Sequence, residues 1–302
     1  MTAATRAVAS TFRKIRETRI PVIPLTIFGL MVLAAIIGPM LVRYNAYEFA
    51  LSDRLAAPSV EHFLGTDDLG RDILARMVLG ARVTLLVVVV SIAAGGAVGL
   101  ILGIVAGYFG GVIDAIIARL TDATLAFPTL LFGLLFAVSV GPGFGSVTAA
   151  ISLSLWAEFV RVVRAEVKSV KERDFIAQAK VYGSSNLRIL VVHVLPNVFN
   201  SFVVLLGVNL GKVILTEASL SYLGAGIPQP TPSWGNMVAD GQKYVGNAWW
   251  VSTFPGLAIA LTVLALFLIG DWMRDFLDPR VRQKQSKRAA AAARRATQQG
   301  VA

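Results

Sequence analysis

The stretch VTLLVVVVSIAAGGAVGLILGIVAGY, Val83 to Tyr108, contains no charged residue. At a rise of 1.5 Å per residue, a helix of about 20 residues crosses the roughly 30 Å of hydrocarbon in a bilayer. This run therefore predicts a membrane-spanning helix. The composition of the 302-residue chain agrees, because 56% of its residues are hydrophobic and only 15% are charged, whereas soluble domains carry about 25% charge.

Further apolar runs bring the expected number of transmembrane helices to six, so the predicted fold class is an all-α, polytopic membrane protein. A proline between two glycines, in VGPGFG (140–145), divides one long apolar region into a hairpin of two helices. The apolar run nearest the N-terminus, Val22 to Val42, is longer than the core of a signal peptide, which has about 7 to 15 residues. We therefore expect this run to be retained as a transmembrane helix. The five additional runs are Val22 to Val42, Ala123 to Phe144, Gly145 to Ala157 with an extension to Val163, Asn197 onward, and Tyr244 to Gly270.

The distribution of positive charge predicts the orientation, because loops rich in Lys and Arg stay in the cytoplasm. Most of the 28 Lys and Arg residues fall in the two tails and in the loop between the fourth and fifth spans. We therefore expect both termini in the cytoplasm, and this dispersed charge argues against a nucleic-acid partner. The predicted organisation is a cytoplasmic tail (1–21), a first transmembrane helix (22–43), an extracytoplasmic loop with a short helix (44–82), a five-helix core (83–280) with a cytoplasmic loop (166–195), and a basic cytoplasmic tail (281–302).

Several kinds of chemistry are not expected of this chain. It has no cysteine and only two histidines, which argues against disulfides, thiolate nucleophiles and zinc sites. Three carboxylates cluster at Asp67, Asp68 and Asp72, but they lack an EF-hand spacing and a catalytic companion, so we interpret them as a turn and helix cap. No GxxxxGK[ST] phosphate loop is present. We predict no catalytic residue, no metal site and no cofactor bound by this chain.

Glycine recurs at every fourth position of the second span. Residues spaced in this way share one face of a helix, and a face without side chains allows a neighbouring helix to approach closely. In lipid such contacts supply packing that the hydrophobic effect does not. We predict a helix-packing face at Gly95, Gly99, Gly103 and Gly107.

The charged loop 166–195 is too long for a simple turn. An amphipathic helix from Asp174 would present Phe175, Ile176 and Ala179 on one side, and Gly183 would end it. A second short helix, Asn186 to Val194, is expected next, with the following span starting at Leu195 and Pro196. Such a segment is typical of a partner-docking element, and a helix lying on lipid headgroups is the alternative.

The loop sequence DFIAQAKVYGSSNLRILVVHVLPN (174–197) resembles the EAA loop of ATP-binding-cassette (ABC) importer permeases. Its glycine is Gly183 and its Leu-Pro is Leu195 and Pro196, but Ala177 and Gln178 occupy the positions of the motif's glutamate and first alanine. The chain as a whole is similar to permeases of the dipeptide, oligopeptide and nickel group, most of all to the C-type subunit of dipeptide importers. The similar blocks are HFLGTDDLGRDILARMVLGARVTL (62–85), YFGGVIDAIIARLTDATLAFP (108–128), LTEASLSYLGAGIPQPTPSWGNMVADG (215–241) and GDWMRDFLDPR (270–280).

This resemblance implies a type I ABC importer permease fold in a bacterial plasma (inner) membrane. It implies a second homologous permease, two ATP-binding subunits that hold ATP and Mg, and an extracytoplasmic substrate-binding protein. The residues expected to couple this chain to the ATPases are Asp174, Phe175, Ile176, Ala179, Gly183, Leu195 and Pro196.

Polar residues inside the fifth span are candidates for the translocation path, because intramembrane polar groups are costly and commonly functional. The candidates are Asn209, Lys212 and Glu217. Five residues separate Lys212 from Glu217, about 140° around a helix, so we expect other partners for both. Structural pairing with another helix, or snorkelling to the interface, is the alternative.

The expected function is the permease subunit of an ATP-driven importer of dipeptides or short oligopeptides. A nickel or other small-solute importer is the alternative within the same family. An ion-driven secondary transporter would need its own coupling site and often internal repeats, and a membrane enzyme would need a nucleophile arrangement. Neither feature is recognisable in the sequence.

Overall fold

The computed structural model describes residues 20–277, and the elements it assigns there are helices joined by loops, the longest of them between Leu41 and Ile73. Five of these helices are long and apolar enough to cross a membrane. The predicted tails, 1–21 and 281–302, lie outside the described residues apart from residues 20 and 21. The helices are α1 (Val22–Leu41), α2 (Ile73–Phe109), α3 (Gly111–Ala126), α4 (Thr129–Val140), α5 (Phe144–Lys171), α6 (Asp174–Val181), α7 (Asn186–Tyr222), α8 (Trp234–Gln242) and α9 (Trp250–Leu277).

The predicted run from Ala123 to Phe144 does not form one straight helix. The chain breaks at Phe127 and Pro128, and α3 and α4 meet there at 86°. Proline disfavours helical geometry in the residue before it, and Phe127 is extended. α4 alone is about 18 Å long, so the sixth crossing exists only as the bent α3–α4 pair. The reversal predicted around Pro142 is confirmed, since α4 ends at Val140 and α5 begins at Phe144.

α2 begins well before the predicted boundary at Val83. Its first residue is Ile73, and the carboxylate of Asp72 caps it by accepting a hydrogen bond from the Ala75 N–H at 2.8 Å. The expected helix cap is thereby confirmed, but the loop predicted for 44–82 ends at residue 72. Arg76, in the first turn of this helix, is buried and has its Nε 3.4 Å from the buried carboxylate of Asp67.

The glycine face of α2 packs directly on α5, as predicted. A Cβ added to Gly95 would lie 2.8 Å from the Leu155 Cβ, closer than real side-chain contacts come. The residue numbers in the facing pairs rise together, so α2 and α5 run in the same direction. The four pairs are Gly95 with Leu155, Gly99 with Phe159, Gly103 with Val163, and Gly107 with Val167.

α7 differs from the two helices predicted for this region. The expected short helix, Asn186 to Val194, continues into the membrane span through a π-helical stretch, Ile189–Val194. Pro196 follows that stretch directly, where a wider helical turn leaves room for the proline ring beside the preceding carbonyls. The segment starts at Ser185, whose hydroxyl accepts from the Arg188 N–H at 3.4 Å.

The loop between α1 and α2 folds over α8 and α9 and closes one end of the bundle. It carries one turn of 3-10 helix, Leu51–Asp53, at a position that the sequence did not indicate. The Trp250 indole donates to the Thr66 carbonyl at 3.3 Å, and the Trp234 indole donates to the Met77 carbonyl at 2.9 Å. These bonds join sequence-distant segments at the end of the bundle opposite α6.

We predict that Gly99→Ala destabilises the protein by about 1–3 kcal/mol, because the added methyl group would overlap Phe159 and lie 2.9 Å from the Trp156 carbonyl. Gly29→Ala is the matched control, since nothing lies within 4 Å of a Cβ at Gly29 in α1. Thermal unfolding of the two variants in the same detergent measures the difference. Equal midpoints would contradict close α2–α5 packing.

Candidate functional site

The segment predicted to couple this chain to a partner, residues 174–188, comprises α6, its turn and the start of α7 and is called the coupling segment here. It is anchored by side chains that were predicted to dock the partner. Ile176 is fully buried and Ala179 is buried, and both belong to the main apolar cluster together with Val170 of α5 and Ile189 of α7. Phe175 is half-buried, with its ring 6.1 Å from that of His193. Ile176 and Ala179 therefore hold α6 against its own chain and are not exposed to a partner in this conformation, while their role in coupling stays a prediction.

The exposed apolar residues of this segment lie on the other side of α6 and around its turn. Val181 is 86% exposed, Tyr182 is 87% exposed and Leu187 is 72% exposed. Sequence reasoning missed them because it assigned the apolar face of the helix to the partner instead of to the protein's own core. The available signal was an apolar pair placed directly before a glycine turn.

The turn after α6 depends on glycine at position 183. Gly183 has a φ of +76°, a region that side chains other than glycine rarely adopt. Its N–H donates to the Lys180 carbonyl at 2.9 Å, and the Ser184 N–H donates to the Ala179 carbonyl at 3.0 Å. This is the Schellman arrangement, which satisfies the last carbonyls of a helix. It sets the direction in which the chain leaves α6 for α7.

Tyr108 connects the last turn of α2 to the coupling segment. Its hydroxyl donates to the Asn186 side-chain oxygen at 2.8 Å. The ammonium groups of Lys171 and Lys180 lie 5.8 and 5.9 Å from the centre of its ring, within cation–π range. α2, α5, α6 and α7 therefore meet at one aromatic side chain.

A second polar contact joins α3 to α5 near the same end of the bundle. The carboxylate of Asp114 accepts two hydrogen bonds from the Arg164 guanidinium and one from the Lys168 ammonium, the last at 2.7 Å. Bidentate pairing of arginine with a carboxylate constrains distance and direction together. α3 is thus fixed to the helix that leads into α6.

The remaining residues predicted for coupling lie around these contacts. Asp174 is exposed in the first turn of α6. Leu195 is half-buried and Pro196 is exposed, both in α7 just after the π-helical stretch. Within residues 20–277 no group of three or more His, Cys, Asp or Glu side chains is arranged to hold a metal ion.

The three polar residues predicted for the translocation path occupy different environments. Glu217 is fully buried and accepts hydrogen bonds from Thr84 at 3.2 Å and Ser221 at 2.8 Å. Asn209 is 3% exposed and donates to the Leu205 carbonyl at 2.9 Å. Both side chains are enclosed within this chain, so neither lines a path in this conformation.

Lys212 is the exposed member of the three. Its ammonium group pairs with the carboxylate of Glu158 on α5, a partner that the sequence did not indicate. Lys212 and Glu217 do not bond to each other, as expected from their spacing. The side chain of Lys212 is 45% exposed and that of Glu158 is 27% exposed.

We predict that Glu217→Ala lowers the free energy of unfolding by about 3 kcal/mol or more, because two buried hydroxyls lose their acceptor and a cavity remains. Glu217→Gln is the control, since its amide oxygen still accepts from one of the two hydroxyls and its NH2 group can donate to the oxygen of the other. Thermal unfolding in detergent compares the variants. An alanine variant as stable as the glutamine variant would show that Glu217 does not join α2 to α7.

Comparisons with known proteins agree with this architecture. Residues 99–283 match the family described as "Binding-protein-dependent transport system inner membrane component". The chain is 38% identical over 271 residues to the dipeptide transport system permease protein DppC of Alkalihalophilus pseudofirmus, covering 90% of this chain and 89% of that protein. It is 36% identical over 260 residues to the probable D,D-dipeptide transport system permease protein DdpC of Escherichia coli, covering 86% and 87%.

A more distant relative and a solved structure extend the comparison. The oligopeptide transport system permease protein OppC of Bacillus subtilis is 34% identical over 270 residues, covering 89% of this chain and 88% of that protein. An inward-facing structure of the MetNI methionine ABC transporter matches with a TM-score of 0.53 at 17% identity, covering 67% of this chain and 96% of that one. This match confirms the expected ABC importer permease fold. The shared helical architecture and the family match together identify the chain as a member of the family of inner-membrane components of binding-protein-dependent transport systems.

Proposed function

We propose that this chain is the permease subunit of an ATP-driven importer that carries dipeptides or short oligopeptides. It works with a second homologous permease, two ATP-binding subunits and an extracytoplasmic substrate-binding protein. The proposal rests on the burial pattern of the coupling segment. Ile176 anchors α6 in the core of this chain, whereas Val181 and Tyr182 are exposed. One side of α6 is thus fixed to this chain, and the other side is free to bind a partner subunit.

Movement of α6 would reach the membrane through two direct connections. α5 ends at Lys171, just before α6 begins at Asp174, and its last turns are buried against α6. On the other side, α7 runs from Asn186 to Tyr222, about 55 Å, and includes the π-helical stretch. A displacement of α6 is therefore expected to shift both spans as rigid bodies, which is how packed helices transmit switching motions.

The energy for this motion comes from the partners. ATP and Mg are bound by the two ATP-binding subunits, which contact α6 and the Gly183 turn from the cytoplasm. With α6 on the cytoplasmic side, the end capped by the α1–α2 loop faces outward and meets the substrate-binding protein. Both termini of the chain then lie in the cytoplasm, in agreement with the charge distribution.

Peptides are the proposed solute because relatives that cover most of this chain are named for dipeptide and oligopeptide transport. These relatives span nearly the whole chain, including both the coupling segment and the bundle. Selectivity also depends on the separate substrate-binding protein. The test is ATP-dependent uptake of labelled dipeptide by proteoliposomes that contain the four membrane-associated subunits and the binding protein.

We predict that Tyr182→Glu weakens association with the ATP-binding subunits at least tenfold, because it places a charge in the centre of the exposed apolar surface. The fold of this chain should be unaffected, since the tyrosine side chain is 87% exposed. Tyr47→Glu is the control, because Tyr47 lies exposed in the loop at the opposite end of the bundle. Co-purification with the ATPases measures the effect, and undiminished binding by Tyr182→Glu would contradict the proposed docking surface.

We also predict that Gly183→Val reduces peptide transported per ATP hydrolysed without preventing membrane insertion. Valine at this position is strained by the positive φ, which costs about 1–2 kcal/mol of conformational energy. A steric clash does not contribute, because nothing lies within 4 Å of a Cβ at Gly183. The turn is then expected to reorient α6 relative to α7. Gly145→Val is the control, as Gly145 has equal space and lies within helix α5. A transport-to-hydrolysis ratio equal to that of the control would argue against the role of the turn.

A further inference from the structure

The ion pair between Lys212 and Glu158 joins two helices that are long and apolar enough to span a membrane, with Lys212 about 15 Å from the Tyr222 end of α7. Glu158 is about 20 Å from either end of α5, at 1.5 Å per residue. Within residues 20–277 each charged group has the other as its sole polar partner. The ammonium group therefore keeps donors free, and the carboxylate keeps an oxygen free, on a partly exposed face.

A groove of about 870 Å³ lies between α5, α7 and the end of α9, on the α6 side of this pair. Val162 and Val208 line it, one helical turn from Glu158 and Lys212 respectively, so the groove continues the stripe on which the pair lies. Half of the residues that line the groove are polar, and they include both positive and negative side chains. These polar residues are Glu166, Arg173, Asn197, Asn200, Ser201 and Arg274.

Lipid is a poor occupant for this face. The ion pair and Asn200 belong to helices that are apolar enough to span a membrane, whereas the charged lining residues of 166–195 belong to the expected cytoplasmic loop. Charged and amide side chains inside a membrane normally face protein or water, because hydrocarbon cannot satisfy them. The exposed face of α1 shows the contrast, with large apolar side chains such as Ile23, Leu30 and Ile36 at 60% exposure or more. The chain therefore has a lipid-compatible face on α1 and a water-compatible groove between α5 and α7.

We propose that the groove is this chain's part of the solute path and that Glu158 and Lys212 bind the ammonium and carboxylate groups of a zwitterionic solute. This assignment rests on the proposed import of short peptides, whose free termini carry these two charges. A passing solute would exchange the intramolecular ion pair for two intermolecular ones, so neither charge is left unpaired in the membrane. Glu166, Arg173 and Arg274 then offer further partners towards the α6 end.

The first test asks whether the groove holds water. The chain has no cysteine, so Val204→Cys and Val208→Cys introduce unique thiols into the lining. Ile36→Cys and Val89→Cys are controls on exposed apolar faces of α1 and α2. A charged, water-soluble methanethiosulfonate is applied to the assembled complex in permeabilised vesicles, and the mass of this chain is measured. Labelling of the groove thiols but not of the controls is expected, and unreactive groove thiols would overturn the proposal.

The second test removes both charges together. The double variant Glu158→Gln with Lys212→Met keeps similar side-chain volumes and leaves no unpaired charge. If the ion pair served only to hold α5 to α7, its removal would lower stability little and leave uptake unchanged. We expect dipeptide uptake by the reconstituted complex to fall at least tenfold, while ATPase stimulation by the loaded binding protein stays within about twofold of wild type. Lys212→Arg, which keeps the charge, is expected to retain most of the uptake.

The outcomes of this second test separate the two proposals. Wild-type uptake by the double variant would reduce the ion pair to a contact between α5 and α7 and overturn its role in solute binding. Absence of ATP-driven uptake by the wild-type complex would instead refute the proposed function, and with it the peptide assigned to the groove. Thiol labelling would still decide in that case whether the groove is a water-filled path.

Discussion

The close contact between α2 and α5 is the constraint on which the rest of the bundle depends. Four glycines at four-residue spacing remove every side chain from one face of α2, and the backbone of α5 occupies that space. Lipid offers no hydrophobic drive for helix association, so this proximity must come from shape. Once α5 is set parallel to α2, its last turns reach the end of the bundle where Tyr108, α6 and the start of α7 meet.

That geometry explains why the coupling segment is attached so firmly. The apolar face of α6 packs on α5 and α7. Only the opposite, exposed face of α6 and the turn at Gly183 remain available to another protein. A helix that used its apolar face to bind a partner would have little to hold it to its own chain. The continuous α7 completes the connection in the proposed coupling, because Asn186 begins a single helix that is long and apolar enough to cross the membrane.

The polar residues of the spans have two distinct roles that follow from their surroundings. Glu217 is enclosed by hydroxyl groups of α2 and α7, which satisfies a carboxylate inside the fold. Lys212, five residues earlier on the same helix, points to another face and pairs with Glu158 at a partly exposed position. The same helix thus contributes a buried polar contact to the fold and, in our proposal, a charge to the solute path.

The sequence by itself determined the membrane-spanning class, the reversal around Pro142, the glycine face of α2 and the helix cap at Asp72, because these depend on local composition and spacing. It also indicated the family, through the resemblance of five sequence blocks to known permeases. It did not reveal the 86° break at Phe127–Pro128, the early start of α2 or the continuity of α7. Only the tertiary structure decided which side of α6 is buried and which intramembrane charges pair, as in Lys212 with Glu158 on α5. The physical reason is that periodicity identifies a helix face, whereas burial and ion pairing depend on which distant helices that face meets.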